Sequence, residues 1–93
     1  MTAPLDRPAI RLLAIGALHR SFGLLNDPAY ARLRDEPGRD IAFADLELDS
    51  LSTLEVLMEI EEAVGIELDP ELLPELETLD GLVAYIADKR ADA

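Results

Sequence analysis

Apolar residues recur along this chain at the three- and four-residue spacing of α-helices, and residues that cap helices stand at the ends of these stretches. The first stretch predicts a helix over residues 7–22. Asp6 can cap its start, and Gly23 is a natural stop. Its predicted buried face consists of Ile10, Leu13, Ala14, Ala17, Leu18 and Phe22.

Two further main helices are predicted, over residues 50–64 and 79–89. Gly65 ends the first of them, and Thr78 caps the start of the second. Asp69 and Pro70 open a short helical turn that ends near Pro74. Strand signals are weak, and no internal repeat is present. The predicted fold is therefore all-α, a single domain over residues 1–93 with three main helices and one or two short helices.

A long connection, over residues 23–49, separates the first two main helices. Within it, the pair Asp27–Pro28 is a typical helix start, and the residues that follow are good helix formers. We therefore expect an extra short helix over residues 28–34, held to the core by Tyr30 and Leu33. The alternative is a mobile loop in which Asp27–Pro28 forms only a turn.

The helix over residues 50–64 carries apolar residues on two nearly opposite faces. One face has the ordinary pattern of a core and comprises Val56, Leu57, Ile60, Val64 and the neighbouring Ala63. The other face comprises Leu51, Leu54 and Met58, and the acidic residues Glu55, Glu61 and Glu62 flank it. An apolar patch bordered by charge is typical of a protein-docking surface. The alternative is that part of this face, Leu54 above all, packs on the short helix after Pro70.

The charge of the chain limits its partners. Twenty acidic residues against eight basic ones give a net charge of −12. Such a charge disfavours nucleic acid and anionic membrane surfaces and favours encounter with basic protein surfaces. The chain contains no cysteine, so it has no thiol of its own for catalysis, disulfides or metal binding. We see no signal peptide or membrane-spanning stretch, and we expect a cytoplasmic monomer.

Other chemistries fit the sequence less well. Asp45, Glu47 and Asp49 alternate as in a calcium-binding loop, but Ser50 and Val56 occupy the places of the required glycine and bidentate glutamate. The single histidine, His19, lies in the first helix outside any serine–histidine–aspartate pattern, and we expect an exposed helical residue rather than a base. An acidic helical interaction module without a prosthetic group is a further alternative.

The segment DLELDSLSTLEVLMEIEEAVGIELDPELLPELETLDGLVAYI resembles the acyl carrier protein family. The resemblance depends on the motif Asp49–Ser50–Leu51 at the head of a helix and on the order of apolar and acidic residues behind it. It needs no gap from Phe43 to Ile86. Two features depart from the family. Leu46–Glu47–Leu48 replaces a turn of small residues, and the connection before the motif is longer than in fatty-acid carriers, which suggests a specialised carrier.

The resemblance implies that Ser50 is the attachment site of 4′-phosphopantetheine, which a phosphopantetheinyl transferase takes from coenzyme A. Asp49 would cap the helix and help this transferase to position its metal and substrate. The arm would carry an acyl or aminoacyl group as a thioester, loaded by a ligase and passed to downstream transferases. The protein itself would be a carrier and not an enzyme. Its partner-binding residues would be Leu51, Leu54, Met58, Glu55, Glu61 and Glu62, and the segment 27–34 would tune the choice of partner.

Overall fold

Three α-helices dominate the computed structural model, which describes residues 6–46, 49–69 and 77–92. The helices are α1 (Arg7–Phe22), α2 (Ser50–Val64) and α3 (Leu79–Asp92). Three short 3₁₀ helices lie between α1 and α2: Leu24–Asn26, Leu33–Asp35 and Phe43–Leu46. The described residues contain no strand beyond one isolated bridge between Ala42 and Thr78. The predicted all-α class is confirmed. The short helix predicted after Pro70 lies outside the described residues.

The ends of the helices follow from their capping residues. The Asp6 carboxylate accepts a hydrogen bond from the N–H of Ala9 at 3.0 Å and so begins α1. Gly23 ends α1 with a left-handed φ of 74°, a conformation that glycine adopts without steric cost. The Thr78 hydroxyl accepts from the N–H of Gly81 at 3.1 Å and caps α3. The predicted bounds of α1 and α2 are confirmed, whereas α3 continues to Asp92 and not only to Lys89.

The hydrophobic core lies around α1, which packs against both α2 and α3. Its buried residues come from all three helices and from the segments between them. Leu13 and Phe22, which the pattern assigned to the buried face of α1, are only half-buried, while Ile15 is fully buried. The core comprises Ile10, Ala14, Ile15, Ala17, Leu18, Leu24, Leu33, Ile41, Val56, Leu57, Ile60, Leu68, Leu79, Leu82, Val83 and Ile86.

The predicted helix over residues 28–34 is wrong as a continuous α-helix. The segment consists of successive turns followed by the 3₁₀ helix Leu33–Asp35. The Asp27 carboxylate accepts from the N–H of Ala29, two residues on, and the N–H of Tyr30 donates to the Asp27 carbonyl at 2.9 Å. These are turn hydrogen bonds, with shorter spacing than those of an α-helix. The expected anchoring is confirmed, because Leu33 is fully buried and Tyr30 packs against the core.

A buried arginine holds the second half of the connection against α1. The side chain of Arg11 is 5% exposed, and its guanidinium group donates to the carbonyls of Leu33 at 3.1 Å, Glu36 at 3.0 Å and Arg39 at 2.8 Å. The three carbonyls lie in the 3₁₀ helix Leu33–Asp35 and in the turn region that follows it, so Arg11 fixes residues 33–39 against α1. Its Nε atom is buried without a hydrogen-bond partner. We call this arrangement the Arg11 clamp.

Beyond the Arg11 clamp, the connection joins the start of α3. One oxygen of Asp40 accepts from the N–H of Asp80 at 2.9 Å. The N–H of Leu79 donates to the carbonyl of Ile41 at 3.0 Å, and the N–H of Phe43 donates to the carbonyl of Glu77 at 2.8 Å. The chain that leads towards α2 is therefore fixed against the amino-terminal end of α3.

Replacing Arg11 with methionine tests the Arg11 clamp. The variant leaves three carbonyl groups without their donor, so we expect the free energy of unfolding to fall by about 2–4 kcal/mol. Urea denaturation measures this change. The matched control is Arg7→Met, an exposed position on the same helix, where a change within about 0.5 kcal/mol is expected. Equal effects of the two substitutions would contradict the clamp.

Candidate functional site

The amino terminus of α2 presents Ser50 as the first residue of the helix. Asp49 precedes it as the N-cap, and its carboxylate accepts from the N–H of Ser52 at 2.7 Å. The N–H of Thr53 donates to the Asp49 carbonyl at 3.1 Å and closes the first helical turn. A helix start of this kind carries partial positive charge, which favours a negative group beside it.

The charge of Asp49 is stabilised at this position. The backbone N–H of Ser52, with a smaller contribution from the Ser52 hydroxyl, holds the pKa of the Asp49 carboxyl below its ordinary value. Asp49 is exposed, so its carboxyl group is accessible to a partner. Asp49 therefore caps α2 and places a negative charge next to Ser50 in the chain.

The exposed apolar face of α2 begins directly after Ser50. Leu51 is 66% exposed, Leu54 44% and Met58 61%. The opposite face is buried through Val56, Leu57 and Ile60. The prediction of two apolar faces is thus confirmed, although Ala63 is exposed rather than part of the core. We call Leu51, Leu54 and Met58 the apolar stripe.

The acidic residues are divided between the sides of the stripe. Glu55 and Glu62 are exposed and line a cleft of about 270 Å³ between α1 and α2, and Met58 also lines it. Glu61 is half-buried and does not line this cleft.

Sequence analysis missed three other residues of the cleft, Arg20, Ser21 and Glu59. Arg20 pairs with Glu59 through a 3.0 Å contact, and the Ser21 hydroxyl lies 3.3 Å from a carboxylate oxygen of Glu55. The sequence offered one indication for Glu59: it lies one helical turn after Glu55 and therefore on the same side of the helix.

His19 has a structural role, which corrects the expectation of an exposed helical residue. It is half-buried near the end of α1, and its Nδ1 atom accepts from the N–H of Leu25 at 3.1 Å. The described residues contain no group of three histidine, cysteine or acidic side chains placed to hold a metal ion.

Comparisons with known proteins agree with the geometry of α2. The profile of the phosphopantetheine attachment site family matches residues 31–86, more than half of the chain. An acyl carrier protein of Rickettsia bellii is 36% identical over 58 residues, which cover 61% of this chain and 72% of the relative. An acyl carrier protein of Rubrobacter xylanophilus is 41% identical over 44 residues, which cover 47% of this chain and 54% of that relative. No solved structure matches.

The chain therefore belongs to the phosphopantetheine attachment site family, the class that includes acyl carrier proteins. It is a carrier protein whose prosthetic group is 4′-phosphopantetheine, and it is not itself an enzyme. No helix among the described parts of the chain is long and apolar enough to cross a membrane.

The start of α2 fits this prosthetic group. The group is joined through a phosphodiester, whose negative charge suits a helix amino terminus. Asp49 and Leu51, the two neighbours of Ser50 in the chain, are both exposed. The chain has no cysteine, and the thiol that forms a thioester is what the bound group supplies.

The capping role of Asp49 predicts a pH dependence of stability. Because the folded protein holds the pKa of Asp49 below its value in the unfolded chain, the stabilisation is present above about pH 4 and is lost as the pH falls through the lowered pKa. Asp49→Asn should melt at a lower temperature than the wild type at pH 7. The difference between the two melting temperatures should shrink towards pH 2. Parallel melting curves across this range would contradict a charged cap.

Proposed function

We propose that this protein carries an acyl or aminoacyl group as a thioester on 4′-phosphopantetheine joined to Ser50, and that it presents this cargo to partner enzymes on the apolar stripe. The main support is the position of Ser50, which begins α2 beside an exposed stripe and within the segment that matches the family. A serine hydroxyl is the group that a phosphopantetheinyl transferase modifies with coenzyme A. Asp49 would help that transferase to position its metal and substrate.

The surroundings of the stripe support a docking role. Three large apolar side chains that are 44–66% exposed on one helix face leave apolar surface that a partner can cover. Glu55 and Glu62 lie beside them, and we assign them contacts with lysine or arginine on partners. Glu61, which is half-buried, would contribute at the other edge. Charges of this kind govern partner choice and association rate more than affinity.

The attachment site is tested by intact mass. Incubating the apo protein with coenzyme A and a broad-specificity phosphopantetheinyl transferase should add the mass of one arm. Ser50→Ala should abolish the gain, and the matched control Ser52→Ala, two residues further along the same helix, should retain it. An arm on Ser50→Ala would contradict the assignment. A wild-type chain that never gains an arm would favour an acidic interaction module without a prosthetic group.

The acidic side of the stripe predicts a dependence on charge and salt. Glu55→Lys and Glu62→Lys should each lower the rate of arm attachment by about two- to fivefold at low salt, because each converts an attraction into a repulsion. The effect should decrease above about 0.15 M salt, where the screening length is near 8 Å. Asp88→Lys, an exposed change on α3, is the matched control. Rates that are unchanged across variants and salt would exclude this role.

A further inference from the structure

Basic residues are concentrated in the first part of the chain. Six of the eight basic residues and four of the twenty acidic residues lie before Asp40. Residues 1–39 therefore carry a net charge of +2, and residues 40–93 carry −14. One of the six, Arg11, is buried in the clamp. Arg20 and Arg34 are exposed, and the fold brings them together from α1 and from the connection.

Arg20 and Arg34 lie side by side over Gly16. A Cβ atom placed on Gly16 would lie 3.4 Å from Nη1 of Arg20 and 3.9 Å from Nη2 of Arg34. Both guanidinium groups thus reach the same point of the α1 surface, and Gly16, which has no side chain, is buried beneath them. We call Arg20 and Arg34 the arginine pair.

The arginine pair is not fully neutralised by the protein itself. Arg20 contacts Glu59 through Nε, whereas Arg34 forms no ion pair with any of the described residues. Two adjacent positive charges repel each other. Guanidinium groups are also well suited to binding carboxylates, because each offers several N–H donors in a planar array. The pair is therefore a site where an incoming carboxylate would gain hydrogen bonds and relieve repulsion.

The arginine pair borders the docking face. Arg20 lines the same cleft as Glu55, Met58 and Glu62. A partner that covers the apolar stripe and extends into this cleft therefore meets Glu55 and Glu62 and then Arg20, and Arg34 lies beside Arg20 over Gly16. The surface changes from negative to positive across the cleft, and a purely basic partner surface would be repelled at its far edge.

We propose that the arginine pair selects partner proteins that place an aspartate or glutamate side chain against Arg20 and Arg34 while their basic residues contact Glu55 and Glu62. The proposal rests on the proposed docking face and adds a second, oppositely charged contact to it. Charge complementarity assigns the occupant, since positive groups beside a strongly acidic face match a surface that carries both signs. A partner with basic residues alone would bind less well.

Synthetic peptides of equal length test the proposal without a known partner. One carries only lysines as charged residues, one only glutamates, and one lysines in its first half and glutamates in its second. Each is titrated at low salt into the ¹⁵N-labelled full chain, with the arginine Nε–H signals as the readout. We expect the mixed peptide to bind most tightly and to shift the signals of Arg20 and Arg34.

Arg34→Gln should weaken binding of the mixed peptide by about two- to fivefold and leave binding of the lysine peptide equal or stronger. Arg32→Gln, an exposed arginine two residues away, is the matched control and should change neither. Tightest binding by the lysine peptide, or equal effects of the two substitutions, would overturn the proposal. The proposal would also be overturned if Arg34 were needed for binding to phosphatidylglycerol vesicles but not for binding to the mixed peptide. That result would assign the pair to a membrane surface. Intact-mass analysis of arm attachment to the same variants tests the proposed function separately.

Discussion

Arg11 brings a positive charge into the interior of the bundle, where carbonyl oxygens hold it in place of a carboxylate. Removing a charged group from water is costly unless hydrogen bonds replace its hydration, and the carbonyls of Leu33, Glu36 and Arg39 supply three of them. These groups lie on the connection, so the charge on α1 fixes the course of the chain far along the sequence. Tyr30, whose ring lies 5.4 Å from the Arg39 guanidinium carbon, adds a cation–π contact to the same segment.

The position of the candidate site follows from this constraint. The fixed connection lays residues 40–43 against the start of α3, and α1 packs on both α2 and α3. The face of α2 that carries Val56, Leu57 and Ile60 is buried in the core, and the apolar stripe on the other side stays exposed to solvent. The proposed carrier role needs a surface that keeps a constant shape when partners recognise it, and the packing of α2 on α1 provides a rigid support for the stripe.

The parts of the fold that the sequence predicts are those set by neighbouring residues. Asp6, Asp49, Gly23 and Gly65 act within one helical turn, and α1 and α2, which they begin and end, have the expected bounds. The failures have long-range causes. Residues 28–34 contain good helix formers but form turns, and the buried Arg11, whose contacts with Leu33 and Arg39 span 22 and 28 positions, could not be predicted from the local sequence. Arg20 and Glu59 are 39 positions apart, so only the packing of α1 on α2 reveals their pairing.

The most direct test of the account is to locate the prosthetic group within the modified protein. Cleavage after Arg39 and Lys89 releases a single fragment, residues 40–89, that contains Ser50, Ser52, Thr53 and Thr78. Fragmentation of this peptide by electron transfer places the added mass on one hydroxyl. The account predicts that it lies on Ser50 alone. An added mass on Ser52 or on either threonine would contradict the assignment of the attachment site.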